Sequence, residues 1–194
     1  MLTGRILIVA FEGWNDATEA ATGALKALSE EMSAEILEAV DPEDYYDFQF
    51  SRPVAEFDEN GQRFLAWPTT ELLQADAGAI KAQPGLKDVY LLLGTEPSRS
   101  WITFAAEVLE MVQDREIDQV IMLGAMLADV PHSRPVPFFR SSQNLKLQAS
   151  LGIEASSYEG PVGILAVLTQ AFELENIPVL SLWASVPHYV HNSS

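Results

Sequence analysis

A chain of 194 residues can form one domain or at most two small ones. Its 48% hydrophobic and 20% charged content suits a folded core and excludes intrinsic disorder. The absence of cysteine removes disulfide scaffolds, thiolate metal sites and cysteine nucleophiles. Against 11 basic residues stand 28 acidic ones, a net charge of −17 that repels phosphate backbones and anionic lipid, so no nucleic acid and no membrane is expected as a partner.

The first apolar run, Ile6 to Phe11, suits a strand covered on both faces. Glu12 follows it too soon for a signal segment, and Val120 to Ala128 is about half a bilayer span, so a cytoplasmic protein is expected. Asp16, three residues before Glu19, predicts a capping box. The helix it opens carries Ala17, Ala20, Ala21, Ala24, Leu25 and Leu28 at three- and four-residue spacing, one stripe for packing on a sheet. Ala34 to Val40 reads as a second strand. Next, Asp41, Glu43, Asp44 and Asp47 interleave with Tyr45, Tyr46, Phe48 and Phe50. That is more aromatic surface than a lone domain leaves wet, which predicts self-association, although a solvated connector with a few packed rings also fits.

A hairpin insertion at about 53–67 turns on Asn60-Gly61, the type I′ pair, which aligns Asp58 with Arg63 and Phe57 with Phe64. Beyond Pro84-Gly85, Asp88 to Leu93 reads as a buried strand, Gly94 to Ser100 as a loop and Trp101 to Val112 as a helix. Gln119 to Ala128 is the longest strand, and 129–142, with three prolines, is loop or irregular strand. Pro161 fits the first turn of a helix running to about Glu175, before a last strand from Val179 to Val186. This alternation predicts a single α/β domain over 1–194.

In such sheets ligands gather at the carboxyl ends of the strands. The unusual polar and aromatic residues fall there: Glu12, Trp14 and Asn15 after the first strand, and Glu96 and Arg99 after the Asp88 strand. Asp129, His132 and Arg134 follow the long strand, Tyr158 and Glu159 precede the last helix, and His188 ends the last strand. Val-Pro-His occurs at both 130–132 and 186–188, so two strands end alike, each delivering a histidine to a loop. Each feature has two readings. Asp129, His132 and Arg134 suit an acid/base and anion-anchoring group, or ion pairs that hold a proline-rich loop. Gly160-Pro161-Val162-Gly163 suits an anion cradle or close helix packing. Trp14 and Trp101 suit binding platforms or core caps. His188 and His191 have metal-like spacing but no third ligand in register, so neither a metal nor a cofactor is expected. The nucleophile elbow, the zinc-protease motif and the phosphate loop are all missing, which lowers hydrolase and triphosphatase readings.

Taken together, Phe11-Glu12-Gly13-Trp14-Asn15-Asp16, Leu93-Gly94-Thr95-Glu96-Pro97-Ser98, Ala128-Asp129-Val130-Pro131-His132-Ser133-Arg134-Pro135, Tyr158-Glu159-Gly160-Pro161-Val162-Gly163 and Trp183-Ala184-Ser185-Val186-Pro187-His188-Tyr189-Val190 resemble the proteasome assembly chaperone 2 family, in its bacterial, actinobacterial-type branch. The resemblance runs in order from residue 6 to 190. It implies a three-layer α/β sandwich, phosphorylase/hydrolase-like, with a mixed, mostly parallel sheet. It also implies a homo-oligomer, with a trimer among the arrangements allowed, and proteasome core subunits as partners. Eukaryotic relatives guide proteasome α-ring assembly, and archaeal relatives are homo-oligomers with proteasome-linked roles. Relatives continue past the His-Tyr-Val segment into further helices, and this sequence stops at Ser194 without the hydrophobic-Tyr-any tail used for proteasome docking. An oligomeric, chaperone-like protein without established catalysis is the expectation. A small-molecule binder or enzyme using a polar cleft at the strand ends is the alternative.

Overall fold

The strands follow from where apolar residues run continuously. A computed structural model describes residues 3–81 and 83–190. In chain order the elements are β1 (Gly4–Glu12), α1 (Ala20–Glu31), β2 (Glu35–Ala39), α2 (Pro42–Tyr45), β3 (Val54–Phe57), β4 (Arg63–Ala66), β5 (Thr70–Gln74), α3 (Ala77–Ile80), β6 (Leu86–Thr95), α4 (Trp101–Asp114), β7 (Gln119–Ala128), β8 (Phe138–Ser141), α5 (Leu145–Leu151), α6 (Ile164–Leu174) and β9 (Val179–Pro187), with 3-10 turns at Ala17–Glu19 and His188–Val190. Seven strands form one sheet in the order β2-β5-β6-β1-β7-β9-β8, and β3 with β4 forms a separate hairpin.

β1 lies at the centre and buries both faces. Leu7, Val9 and Phe11 join the core under α4 and α6, while Ile6 and Ala10 join the core under α1. That alternation produces the expected three layers. The sheet is mixed, but "mostly parallel" describes only its centre. The β6–β1, β1–β7 and β7–β9 pairs are parallel; β2–β5, β5–β6 and β8–β9 are antiparallel. Among the described residues, no helix is long and apolar enough to cross a membrane.

Several local expectations change. The Asp16–Glu19 capping box does not form, because Thr18 and Glu19 take left-handed backbone angles and delay the helix to Ala20. Asp16 still caps it, accepting from the Ala21 and Thr22 amides at 2.7 and 2.8 Å. The hairpin has a longer turn than type I′. Gly61 alone has positive φ (75°), its amide bonds the Asp58 carbonyl, and Phe57 pairs with Arg63 and Glu56 with Phe64. The Asp58 carboxylate accepts from the Asn60 and Gln62 amides, and this Asx capping shifts the register by one residue. Pro161 precedes the last helix rather than opening it, since α6 begins at Ile164. Tyr45 and Tyr46 are core residues, not surface, and Tyr45 stacks edge-on against Phe104 with centroids 5.2 Å apart. Self-association through those two rings is therefore excluded. His191 and the chain end at Ser194 lie outside the described residues.

Candidate functional site

The four central parallel strands end at Thr95, Glu12, Ala128 and Pro187, so the loops that follow open on one edge of the sheet. On this edge Glu96 ties three segments together. Its amide donates to the Glu12 carbonyl at 3.0 Å. Its Oε1 accepts from the Asn15 side-chain amide at 2.7 Å and from the Ile164 amide at 2.8 Å. The buried Asn15 in turn offers its carbonyl to the Ala125 amide at 2.9 Å. Glycine is needed at 163 because a Cβ there would come within 2.3 Å of the Asn15 amide group. The orphan donor at the N-terminus of α6 is thus satisfied by the protein's own carboxylate, and the anion-cradle reading of Gly160 to Gly163 gives way to close packing.

The other carboxylates of this group are engaged as well. Glu12 pairs with Lys26 at 2.7 Å and accepts from the Thr95 hydroxyl at 3.2 Å. The hydrogen bond to Glu12, ahead of opposing desolvation, raises the Lys26 ammonium above its ordinary pKa. Asp16, buried, also accepts from the Thr22 hydroxyl at 2.6 Å. Glu12, Asn15 and Glu96 therefore meet as one structural cluster, with Asp16 and Gly163 as members not among the candidate set. Their sequence signals were the Asp16–Glu19 spacing and the glycine pair 160/163.

A second group sits where β7 and β9 end. The His132 amide donates to the Tyr189 hydroxyl at 2.7 Å, and the ring Nδ1 lies 2.8 Å from the same oxygen. His188 lies 3.9 Å from Asp129, at full solvent exposure for the latter. His132 therefore pairs with a tyrosine instead of Asp129, and among the described residues the Arg134 guanidinium has no ion-pair partner. The expected acid/base trio does not assemble.

The remaining candidates divide. Arg99 holds the carbonyls of Glu43 and Asp44, pinning α2 over the core. The Tyr158 hydroxyl donates to the Pro161 carbonyl at 3.0 Å while its ring stays exposed, and Glu159 is exposed in the same loop. Trp14 is 64% exposed, whereas Trp101 packs on the core and donates to the Pro97 carbonyl at 2.6 Å. An open depression of about 430 Å³ is lined by Glu43, Tyr46, Asp47, Phe48, Gln49 and Arg99. A smaller one of about 250 Å³ lies at the opposite end of β9, around Glu173 and Pro178. Neither is lined by Asn15, Glu96 or His132. Among the described residues no group of three or more His, Asp or Glu is arranged to hold a metal ion.

The chain matches the PAC2 family over residues 10–194. It is similar to the crystal structure of a PAC2 family protein from Streptomyces avermitilis, at 39% identity and TM-score 0.84, covering 96% of this chain and 77% of that one. It is equally similar to the proteasome-assembly chaperone homologue of Mycobacterium tuberculosis, at 37% identity, TM-score 0.84 and the same coverage. PbaB of Pyrococcus furiosus, an archaeal proteasome activator, shares the fold at 15% identity and TM-score 0.71, over 96% of this chain and 77% of that one. No curated protein matches it significantly. A match over nearly the whole sequence and two relatives above 35% identity agree with the mixed sheet and its engaged carboxyl edge: the chain belongs to the PAC2 family.

Proposed function

We propose that this protein is an assembly-chaperone-like factor that self-associates and binds proteasome core subunits in the cytoplasm, working through its surfaces instead of a catalytic cleft. The observation that carries this reading is the state of the carboxyl edge. Glu12, Asp16 and Glu96 are each engaged by neighbouring donors, so they hold loops together and are not poised to move protons. Exposed apolar side chains surround that cluster instead: Trp14, Leu127, Tyr158 and Val162 on the edge itself, and Phe138 and Phe139 on the outermost strand β8. An apolar surface with a polar border suits a protein partner. The Mycobacterium relative's description as a proteasome-assembly chaperone homologue supports the choice of partner. Size-exclusion chromatography of the purified chain with purified cognate proteasome α subunits tests the proposal. Co-elution is expected, and separate elution at micromolar concentrations of both overturns it.

A further inference from the structure

The turn between β8 and α5 meets the turn between α6 and β9 at the amino edge of the sheet, away from the carboxyl-edge cluster. Between them lies the depression of about 250 Å³. Gln143 and Asn144 line one side, and Glu173, Asn176, Ile177 and Pro178 line the other. Glu173 is the one charged residue among these. Its Oε1 is buried, and among the described residues no group donates a hydrogen bond to it. An unmet buried acceptor carries its full desolvation penalty, greatest for a charged group. Desolvation accordingly raises the Glu173 carboxyl above its ordinary pKa, against a smaller opposing effect of the Gln143 backbone. The helix dipole compounds the problem. The last turn of α6 carries no basic residue, and Glu173 and Glu175 stand where a cation is favoured.

We propose that this depression binds a small molecule through a protonated primary amine, with Glu173 as the counter-charge. The lining residues select that class over other cations. Calcium takes about six to eight oxygen ligands. One carboxylate falls short of that, and the Asn144 side-chain oxygen is already spent on the Lys146 and Leu147 amides at 3.0 and 3.1 Å. A guanidinium pairs best with both oxygens of a carboxylate, and Oε1 is closed off. An ammonium is a compact point charge that needs one oxygen. Ile177 and Pro178 give its methylenes an apolar wall. The volume lies below the roughly 300–1,000 Å³ of sites for larger ligands, so a short aliphatic amine fits.

The site is independent of the proposed partner contacts, so it is tested on the purified full chain alone. The isotope-labelled protein is titrated with n-butylammonium chloride at constant ionic strength, and its backbone amide shifts are followed by NMR. Saturable shifts centred on Gln143, Asn144, Asn176 and Ile177 are expected. Choline chloride, whose quaternary nitrogen donates no hydrogen bond, is expected to leave those amides unmoved. Glu173→Gln keeps the shape and removes the charge. It should weaken butylammonium binding about tenfold, the loss of one charge-assisted hydrogen bond. Without ligand its thermal midpoint should hold or rise, because a desolvated charge is gone. Glu175→Gln, exposed in the same turn, should change the affinity less than about twofold. The proposal is overturned by shifts that do not saturate or that scatter over the acidic surface, and by an equal response to choline. Undiminished affinity in Glu173→Gln overturns it too, as does a lower midpoint for that variant, which would make the carboxylate a structural cap.

Discussion

Glu96 occupies the place a bound anion would take at the start of α6, and it bridges the loop after β1 to that helix. Hydrogen bonds to a charged group contribute about 1.5–3 kcal/mol, so Glu96→Ala should destabilise by about 2 kcal/mol. In a chain of this length that lowers the thermal midpoint by roughly 4–8 °C, measured by calorimetry. An unchanged midpoint would mean the carboxylate is free to serve another purpose. Tyr46 sets a different test. It is buried, it donates to the Thr95 carbonyl at 2.9 Å, and its hydroxyl lies 2.9 Å from that of Thr70. Desolvation pushes its phenol pKa up to about 12. A phenol whose folded pKa lies above its unfolded value of about 10 contributes stability in full below pH 10. That contribution is lost as the pH rises from there towards 12. Urea midpoints measured across that window should fall, and Tyr46→Phe should flatten the fall. Parallel slopes for the two proteins would contradict the assignment.

At the scale of elements, α4 is the main buttress of one face. Its Phe104 is wholly buried and meets Phe11 and Tyr45 edge-on at 5.8 and 5.2 Å. Phe104→Ala should cost about 3–5 kcal/mol, seen as a large drop in denaturation midpoint. Loss of less than about 1 kcal/mol would place the ring in a site that collapses at no cost. The central elements were legible because their burial is written as pattern. Continuous apolar runs gave β1, β6, β7 and β9, and a helical period gave α4. β5 was not legible: Thr-Glu-Leu-Leu-Gln carries only two apolar residues and becomes a strand because β2 and β6 flank it. α5 buries none of its residues, so it leaves no core pattern to read. The hairpin pairs Val54–Phe57 with Arg63–Ala66, and its register depends on Asp58 capping the turn, which outweighs the Asn-Gly preference.

Across the whole molecule, the sheet brings the loops after β6, β1, β7 and β9 to one edge, because those four strands pair in parallel. The candidate site was legible to that extent. Sequence could place Glu12, Asn15 and Glu96 at strand ends but not reveal that their donors and acceptors satisfy one another, because those partners lie up to 81 residues apart for Asn15 and Glu96. The same limit applies to His132, whose partner Tyr189 is 57 residues away. An edge so internally satisfied, bordered by exposed rings, is the feature on which the proposed contact with another protein rests. The most direct test of that claim is a sedimentation titration of the purified chain with cognate proteasome α subunits, run beside a metabolite thermal-shift screen. The account predicts a saturable complex and no metabolite that stabilises through the carboxyl edge. Absence of any complex, together with a metabolite whose stabilising effect His132→Ala abolishes, would contradict it.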